Sequence, residues 1–446
     1  MLLTTSQISE RWGISTRRVR YLAESGRIEG AIYKNKKWYF SEDAKKPTSD
    51  SSEENFVKRK YPVFKFSKDG YYEEFGGMYM PATMEIYFRP YQKPFEDIIK
   101  CSSFETEMRK VLKDTPLYVA ENFSNALGGK VKIIIKREDL NTSGTLYANQ
   151  AFPLVLLNKV VKREKILLAA GNANFVKAFV DACKYYQMDY KVYISYKDYL
   201  KQRKAFDELK EKENLSHLFI CEEDASLYDA VNYAFRQYLY NDAVDMYVLT
   251  DAIGPHPLPQ IVEFCQSTVG HRAQIQLKEM GINRVNAIFA PSNVGSNALG
   301  IFTGAKSNTD LILVESSSSN SVIEKGHTGG VVGMTTRTLS TKGYCDSHQK
   351  TLCPAMSFPA LSPKLAYGLK KGNYKGMGVT DKEAMEACME FYKLESIFPS
   401  LEDGYSLAAI KKRVKRMQNG TILMCFTGKG DKDFDFVSET LKNDEF

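Results

Sequence analysis

KREDLN (136–141) stands directly after an apolar run at 131–135 and before a helical pattern at 148–163, which Pro153 is expected to kink. A buried strand that ends in charge and hands over to a helix is the repeating unit of an α/β sheet. The same grammar recurs along the chain. Apolar runs at 166–170, 190–195, 245–249, 287–290, 311–315 and 422–426 read as strands, beside helical stretches such as 174–186. Two of these runs end as the first does. VGSNALG (294–300) follows 287–290 and opens a helix, and TGKGDKD (427–433) follows 422–426. Backbone N–H groups at such turns point at an anion, assisted by the helix dipole. Three polar or glycine-rich turns at strand ends are what an open α/β sheet uses to build a cleft. The expectation is an α/β domain of two lobes, with mostly parallel strands and a cleft for a phosphorylated ligand, although any one of these turns alone reads equally as an ordinary tight turn.

The chain has 446 residues, enough for about three domains or for one small domain beside a large two-lobed one. Hydrophobic residues at 43% and charged residues at 26% exclude a disordered or collagen-like chain. No run of apolar residues is long enough to span a bilayer. The start, MLLTTSQISERWG, lacks the charged-then-apolar pattern of a secretory signal. Eight cysteines stand singly with no CxxC, the usage of a cytoplasmic chain with reduced thiols. Five histidines without an HExxH or a Cys/His pairing argue against a metal site.

The net charge is +7, and more than half of it lies at the start. Residues 1–50 carry ten Lys and Arg against six Asp and Glu. This is a local basic patch. Residues 1–46 read as a small unit. Thr4-Thr5-Ser6 offers a cap for a first helix with Ile8 and Trp12, Gly13 makes a turn, and Ser15-Thr16 can cap a second helix with Val19, Tyr21 and Leu22, ended by Gly26. Residues 31–33 and 38–40, on either side of Lys34-Asn35-Lys36-Lys37, read as a hairpin or wing. Two helices about a glycine turn, followed by a wing, follow helix-turn-helix logic. Arg17, Arg18 and Arg20 stand at the start of the second helix, where a recognition helix meets base edges and phosphates, and Lys34, Lys36 and Lys37 stand on the wing. The plain alternative is a solvated basic face. Residues 47–60, polar and opened by Pro47, read as a linker to a module at 61–446.

Two resemblances sharpen this reading. WGISTRRVRYLAESGRIEGA with WYF resembles the excisionase or MerR-like helix-turn-helix units of bacterial regulators and mobile-element proteins, over nearly all of residues 3–46. Further along, DGYYEEFGGMYMP (69–81), DTPLY (114–118), KREDLN (136–141), GPHPLPQIV (254–262), GSNALG (295–300), PSLEDGYSLAAI (399–410) and TGKGDKD (427–433) resemble, in order and spacing, the tryptophan synthase β subunit family. The resemblance covers about residues 68–440. It implies a two-lobed fold of pyridoxal-phosphate (PLP) fold type II, here with a small N-terminal winged helix-turn-helix domain, and a homodimer.

The resemblance also marks departures. Where that family has the lysine that forms the Schiff base with PLP, this chain has Tyr147, and the histidine before it is Leu146. A phenol forms no imine, and the lysine amine is also a proton shuttle. The family's acid/base glutamate falls at Ala169, which cannot do that work. Its carboxylate loop becomes Gly171-Asn172-Ala173-Asn174-Phe175, in which Asn172 and Asn174 form either a new polar site or a surface loop. Half of the phosphate loop survives as Gly295, Ser296 and Asn297. A specificity aspartate falls at Ser357. Glu402 and Thr427 stand where the resemblance places groups near the cofactor ring, and Asn149 is a further candidate ligand contact. PLP is thus a possible ligand, but not one bound covalently at the usual position. His256, between two prolines, reads as a structural hydrogen-bonding residue, and Cys265, Cys345, Cys353 and Cys425 read as core or incidental thiols.

Three readings of function stay open. One is a catalytically degenerate module on a DNA-binding head, acting as a ligand-responsive regulator whose ligand is PLP, an amino acid or indole. The second is a PLP-dependent lyase or β-replacement enzyme. The third is a scaffold or interaction protein without ligand.

Overall fold

The computed structural model describes residues 2–24, 28, 30–34, 37–44, 46, 66–78, 88–213, 217–240, 246–248, 251–317, 327–330, 337–340, 351–358 and 360–444. The chain divides into two compact units, Met1–Tyr61 and Pro62–Phe446.

The first unit holds β1 (Leu2–Thr4), α1 (Thr5–Trp12), α2 (Thr16–Glu24), β2 (Ile32–Lys34) and β3 (Lys37–Ser41). Thr4 caps α1 in a reciprocal box with Gln7, which satisfies backbone donors that a helix start leaves open. Gly13 ends α1 at φ +63°, a left-handed turn natural to glycine. Ser15 Oγ then accepts from the Arg18 N–H at the start of α2. The strands form an antiparallel sheet in the order β1-β3-β2. Ile8, Trp12, Val19, Leu22, Ala23, Ile28 and Phe40 are buried together. Strand β1 was not expected from the sequence. Gly26, assigned to the end of α2, lies outside the described residues, as does the linker at 47–60.

In the second unit the site is framed by β4 (Leu117–Val119), β5 (Val131–Arg137), α3 (Ala148–Val160), β6 (Lys165–Ala170), α4 (Ala173–Tyr186), β7 (Asp189–Ile194), β8 (Leu218–Ile220), β9 (Met246–Val248), α5 (Leu258–Glu279), β10 (Ala287–Pro291), α6 (Ser296–Ile301), β11 (Asp310–Ser316), β12 (Lys375–Val379), α7 (Asp381–Glu395), α8 (Leu401–Val414) and β13 (Gly420–Phe426). One sheet runs β12-β11-β10-β13-β5-β4, parallel except for the antiparallel β4. A second, wholly parallel sheet runs β8-β7-β6-β9. A short antiparallel sheet joins Tyr71–Tyr72, Phe75–Gly76, Arg337–Ser340 and His327–Gly330.

The central strands read as apolar runs because helices cover both faces. Every residue of β10 is buried, as are Ile133, Ile134 and Ile135 of β5. Lys136 is buried too. Its ammonium donates to Thr115 O (2.5 Å) and Gln276 Oε1 (3.0 Å), and burial lowers its pKa. KREDLN does not open a helix: a 3-10 turn, Glu138–Leu140, follows β5, and α3 begins only at Ala148.

Helix α6 is seated by a close approach to α5. A Cβ on Gly270 would lie 2.3 Å from Thr303 O and 2.5 Å from Gly300 O. No side chain fits between two backbones at that distance, so Gly270 sets how deep α6 and the turn before it sit. Gly270→Ala is therefore expected to cost about 1–3 kcal/mol despite alanine's better helix propensity, read as a lower urea midpoint at an unchanged slope.

Candidate ligand cleft

The ends of β5, β6, β10 and β13 and the turns beyond them converge on one cleft. Tyr147 immediately precedes α3. Asn172 caps α4, its Oδ1 accepting the Asn174 N–H at 2.9 Å. Gly295 precedes α6 at φ +111°, where a Cβ would strike Leu365 Cδ1 at 2.2 Å. Between them lies a cavity of about 40 Å³ lined by Tyr147, Ala170, Gly171, Asn172, Phe175, Leu227, Asp251, Asn293, Val294, Pro354, Ala355 and Phe358. Tyr147 packs edge-on against Phe175, ring centroids 5.1 Å apart. Burial, with the carboxyl groups of Asp251, Glu402 and Asp403 nearby, raises the Tyr147 phenol well above its usual range.

At one end of the cleft a carboxylate of the chain itself, Asp251, lines the cavity and accepts from Gln150 Nε2 at 3.2 Å. Burial pushes its pKa up to about 6, and nearby polar groups work against the rise. Asn297 turns its amide to Cys425 O (3.3 Å).

At the other end lies a buried ionic cluster. Lys432 bridges Glu402 (2.9 Å) and Asp433, all of them 3% exposed or less at the side chain. Burial alone would raise Glu402, but the Lys432 ammonium outweighs it and holds the carboxyl below its usual range. Burial and the Glu402 charge beside it raise Asp403 well above the carboxylate range. Both Asp403 oxygens accept the Thr427 N–H at 3.0 Å. The Thr427 hydroxyl lies 3.1 Å from Glu402 Oε1 and 2.8 Å from Ser400 Oγ. Asn172 Nδ2 reaches across from the second sheet to Glu402 Oε1 at 3.2 Å.

The fold thus gathers Tyr147, Ser296, Glu402 and Thr427 about one cleft. Gly295 and Asn297 flank Ser296. Asn149 stands apart: its amide is held by Glu138 (2.9 Å) and Asn141 (3.0 Å) beneath the 3-10 turn. Ala169 is fully buried in β6. Asn172 and Asn174 are not a surface loop. Both are buried, and Asn174 Nδ2 donates to Lys429 O at 3.0 Å. Ser357 Oγ donates to Pro354 O. His256 is buried with Nδ1 2.9 Å from Gln260 Oε1. Cys265, Cys353 and Cys425 are buried, and Cys345 lies outside the described residues. In the first unit Arg17, Arg20, Lys34 and Lys37 are exposed, Arg18 is half-buried, and Lys36 lies outside the described residues. Sequence reasoning missed Asp251, Asp403 and Lys432. The first directly precedes AIGPHP, and the others sit inside quoted motifs, so position in a motif was the available signal. Among the described residues no group of three or more His, Cys, Asp or Glu could hold a metal ion, and no helix is long and apolar enough to cross a membrane.

The profile of the family described as Pyridoxal-phosphate dependent enzyme matches residues 108–428. The chain belongs to that family. Among its relatives, the tryptophan synthase beta chain of Clostridium botulinum (strain Eklund 17B / Type B) is 27% identical over 394 residues, which cover 85% of this chain and 96% of that protein. Tryptophan synthase beta chain 1 of Wolinella succinogenes is 28% identical over 387 residues, 84% of this chain and 96% of that protein. The fold is shared with a fungal L-serine ammonia-lyase from Rhizomucor miehei, at a TM-score of 0.57 and 18% identity over 74% of this chain and 98% of that one.

Membership of the pyridoxal-phosphate dependent enzymes implies PLP as cofactor, but the residues present do not fit it. About 40 Å³ has room for about three water molecules, far short of a substituted pyridine bearing a phosphate ester. No lysine lines the cavity among the described residues. Thr427 already spends its hydroxyl on the chain's own Glu402 and Ser400. Among the described residues, the enclosed room expected for a phosphorylated ligand is not there.

The cluster at the other end makes a stability prediction. Lys432→Met leaves Glu402 and Asp433 buried without their cation, and is expected to cost about 3–5 kcal/mol in urea unfolding of the full chain.

Proposed function

We propose that this chain is a cytoplasmic DNA-binding regulator. Its N-terminal unit is a winged helix-turn-helix head, and its pyridoxal-phosphate enzyme fold has become a non-catalytic, ligand-responsive body that pairs two heads as a homodimer. The observation that carries the reading is the basic face of the first unit. Arg17 and Arg20, one turn apart on α2, are exposed, while Val19, Leu22 and Ala23 of the same helix are buried. Lys34 and Lys37 are exposed and pair across β2 and β3. A helix that buries one side and offers arginines on the other, beside a basic hairpin, suits a major groove and its flanking phosphates. Tyr147 supports the non-catalytic half of the reading, since a neutral, half-buried phenol can neither anchor an aldehyde nor relay a proton as an amine does.

Family membership favours a second reading, a PLP-dependent lyase or β-replacement enzyme in which another lysine takes over the anchor. Two measurements separate them. Selection from random duplex DNA is expected to enrich a paired half-site, and Arg17→Ala with Arg20→Ala is expected to weaken binding about tenfold or more and to flatten its salt dependence, with the melting temperature unchanged. No enrichment, with or without PLP, amino acids or indole, overturns the regulator. The intact mass after PLP and borohydride is expected to be unaltered, and a locked adduct would favour the lyase.

A further inference from the structure

We propose that the cleft binds a small primary ammonium ion, with the Asp251 carboxylate as its counter-ion and Asn293 as a second acceptor. The proposal rests on the reading of the second unit as a ligand-responsive body, and it names the class of the ligand.

The two acceptors come from different turns. Asp251, between β9 and α5, and Asn293, between β10 and α6, both line the cavity. A relay of amides holds Asp251: Gln266 Nε2 donates to Gln150 Oε1 at 2.8 Å, and Gln150 Nε2 donates to Asp251 Oδ1 at 3.2 Å. The relay orients the carboxylate but brings it no charge. Asn293 Nδ2 donates to the carbonyl of Ala355, another lining residue, at 2.8 Å, and this contact fixes which way the amide faces. Its Oδ1 is buried with no hydrogen-bond partner among the described residues. A buried acceptor left unpaired is costly, so the position calls for a donor.

Charge and size point the same way. The described residues lining the cavity include no lysine, arginine or histidine. The polar groups that steady Asp251 are neutral, and with a pKa of about 6 it is mostly ionised at neutral pH. An anion withdrawn from water without a cation is costly, and an ammonium supplies both the charge and the hydrogens. Tyr147, Phe175 and Phe358 complete the wall, and aromatic rings favour a cation over an anion. About 40 Å³ takes about three water-sized groups, room for an ammonium nitrogen with one or two carbons. A phosphate ester or an amino acid would instead bring a second anion to a wall with no cation to receive it.

The test uses simple amines on the full-length protein. Methylammonium and ethylammonium chloride are titrated by calorimetry, at an ionic strength held by tetramethylammonium chloride, a cation with no N–H to donate. Both amines are expected to bind saturably and to raise the melting temperature, and potassium, acetate and inorganic phosphate to do neither. Asp251→Asn and Asp251→Ser, two replacements in case one fails to fold, are each expected to weaken amine binding about tenfold or more. Asn293→Ala is expected to weaken it about threefold or more. No saturable amine binding by the unaltered chain, undiminished binding in both Asp251 variants, or an equal response to potassium, acetate or phosphate would each overturn the proposal. Selection from random duplex DNA is run with and without methylammonium. Amine binding without DNA enrichment upholds the ammonium site and overturns the regulator, and enrichment without amine binding does the reverse.

Discussion

One ammonium group ties the heart of the second unit together. Lys432, buried after β13, bridges Glu402 in the first turn of α8 and its own neighbour Asp433. Removing three charges from water is costly unless each is paired and hydrogen-bonded. Here they are. Asp433 also accepts the Leu401 N–H at 2.8 Å, which fixes the start of α8, and Glu402 receives Asn172 from the second sheet. The two sheets are thus joined at the cleft by a polar contact whose acceptor is held in place by a single cation.

Around that knot the chain keeps a frame and turns its chemistry inward. A ligand site needs donors and acceptors that are oriented but unspent. In this cleft Thr427 meets Glu402 and Ser400, and Asn172 meets Glu402. The frame itself, parallel strands ending in turns, is that of the pyridoxal-phosphate dependent enzymes. Fold and activity are separable because packing depends on the strands and helices, whereas chemistry depends on a few side chains at their ends.

What the sequence disclosed follows the same division. Strands β5, β6, β10, β11 and β13 were legible because each carries a run of buried apolar residues. Strands β4, β8 and β12 were not, and all three are sheet edges, although the edge strand β9 was read at 245–249. An edge has one neighbour, so three residues suffice, or a run as mixed as Lys-Gly-Met-Gly-Val at 375–379. β1 is an edge of the small sheet as well. Within the cleft, Tyr147 and Thr427 could be placed by motif. The contact between Asn172 and Glu402 joins residues 230 apart, and no local pattern encodes it. Asp251 was hidden for another reason: an aspartate before a glycine turn reads as loop solvation until its carboxylate is seen lining the cavity beside Gln150.

The aromatic residues of the first unit have an optical consequence. The chain has two tryptophans, Trp12 and Trp38, and both lie in residues 1–46. Trp12 is in the core of that unit, and Trp38 stands 5.0 Å from the ring of Tyr33 on the hairpin. Indole emission is therefore a natural reporter of the small unit alone, while the peptide signal in the far ultraviolet is dominated by the large one. Melting, quenching or energy transfer followed at the two wavelengths resolves the two units in the intact protein without any label.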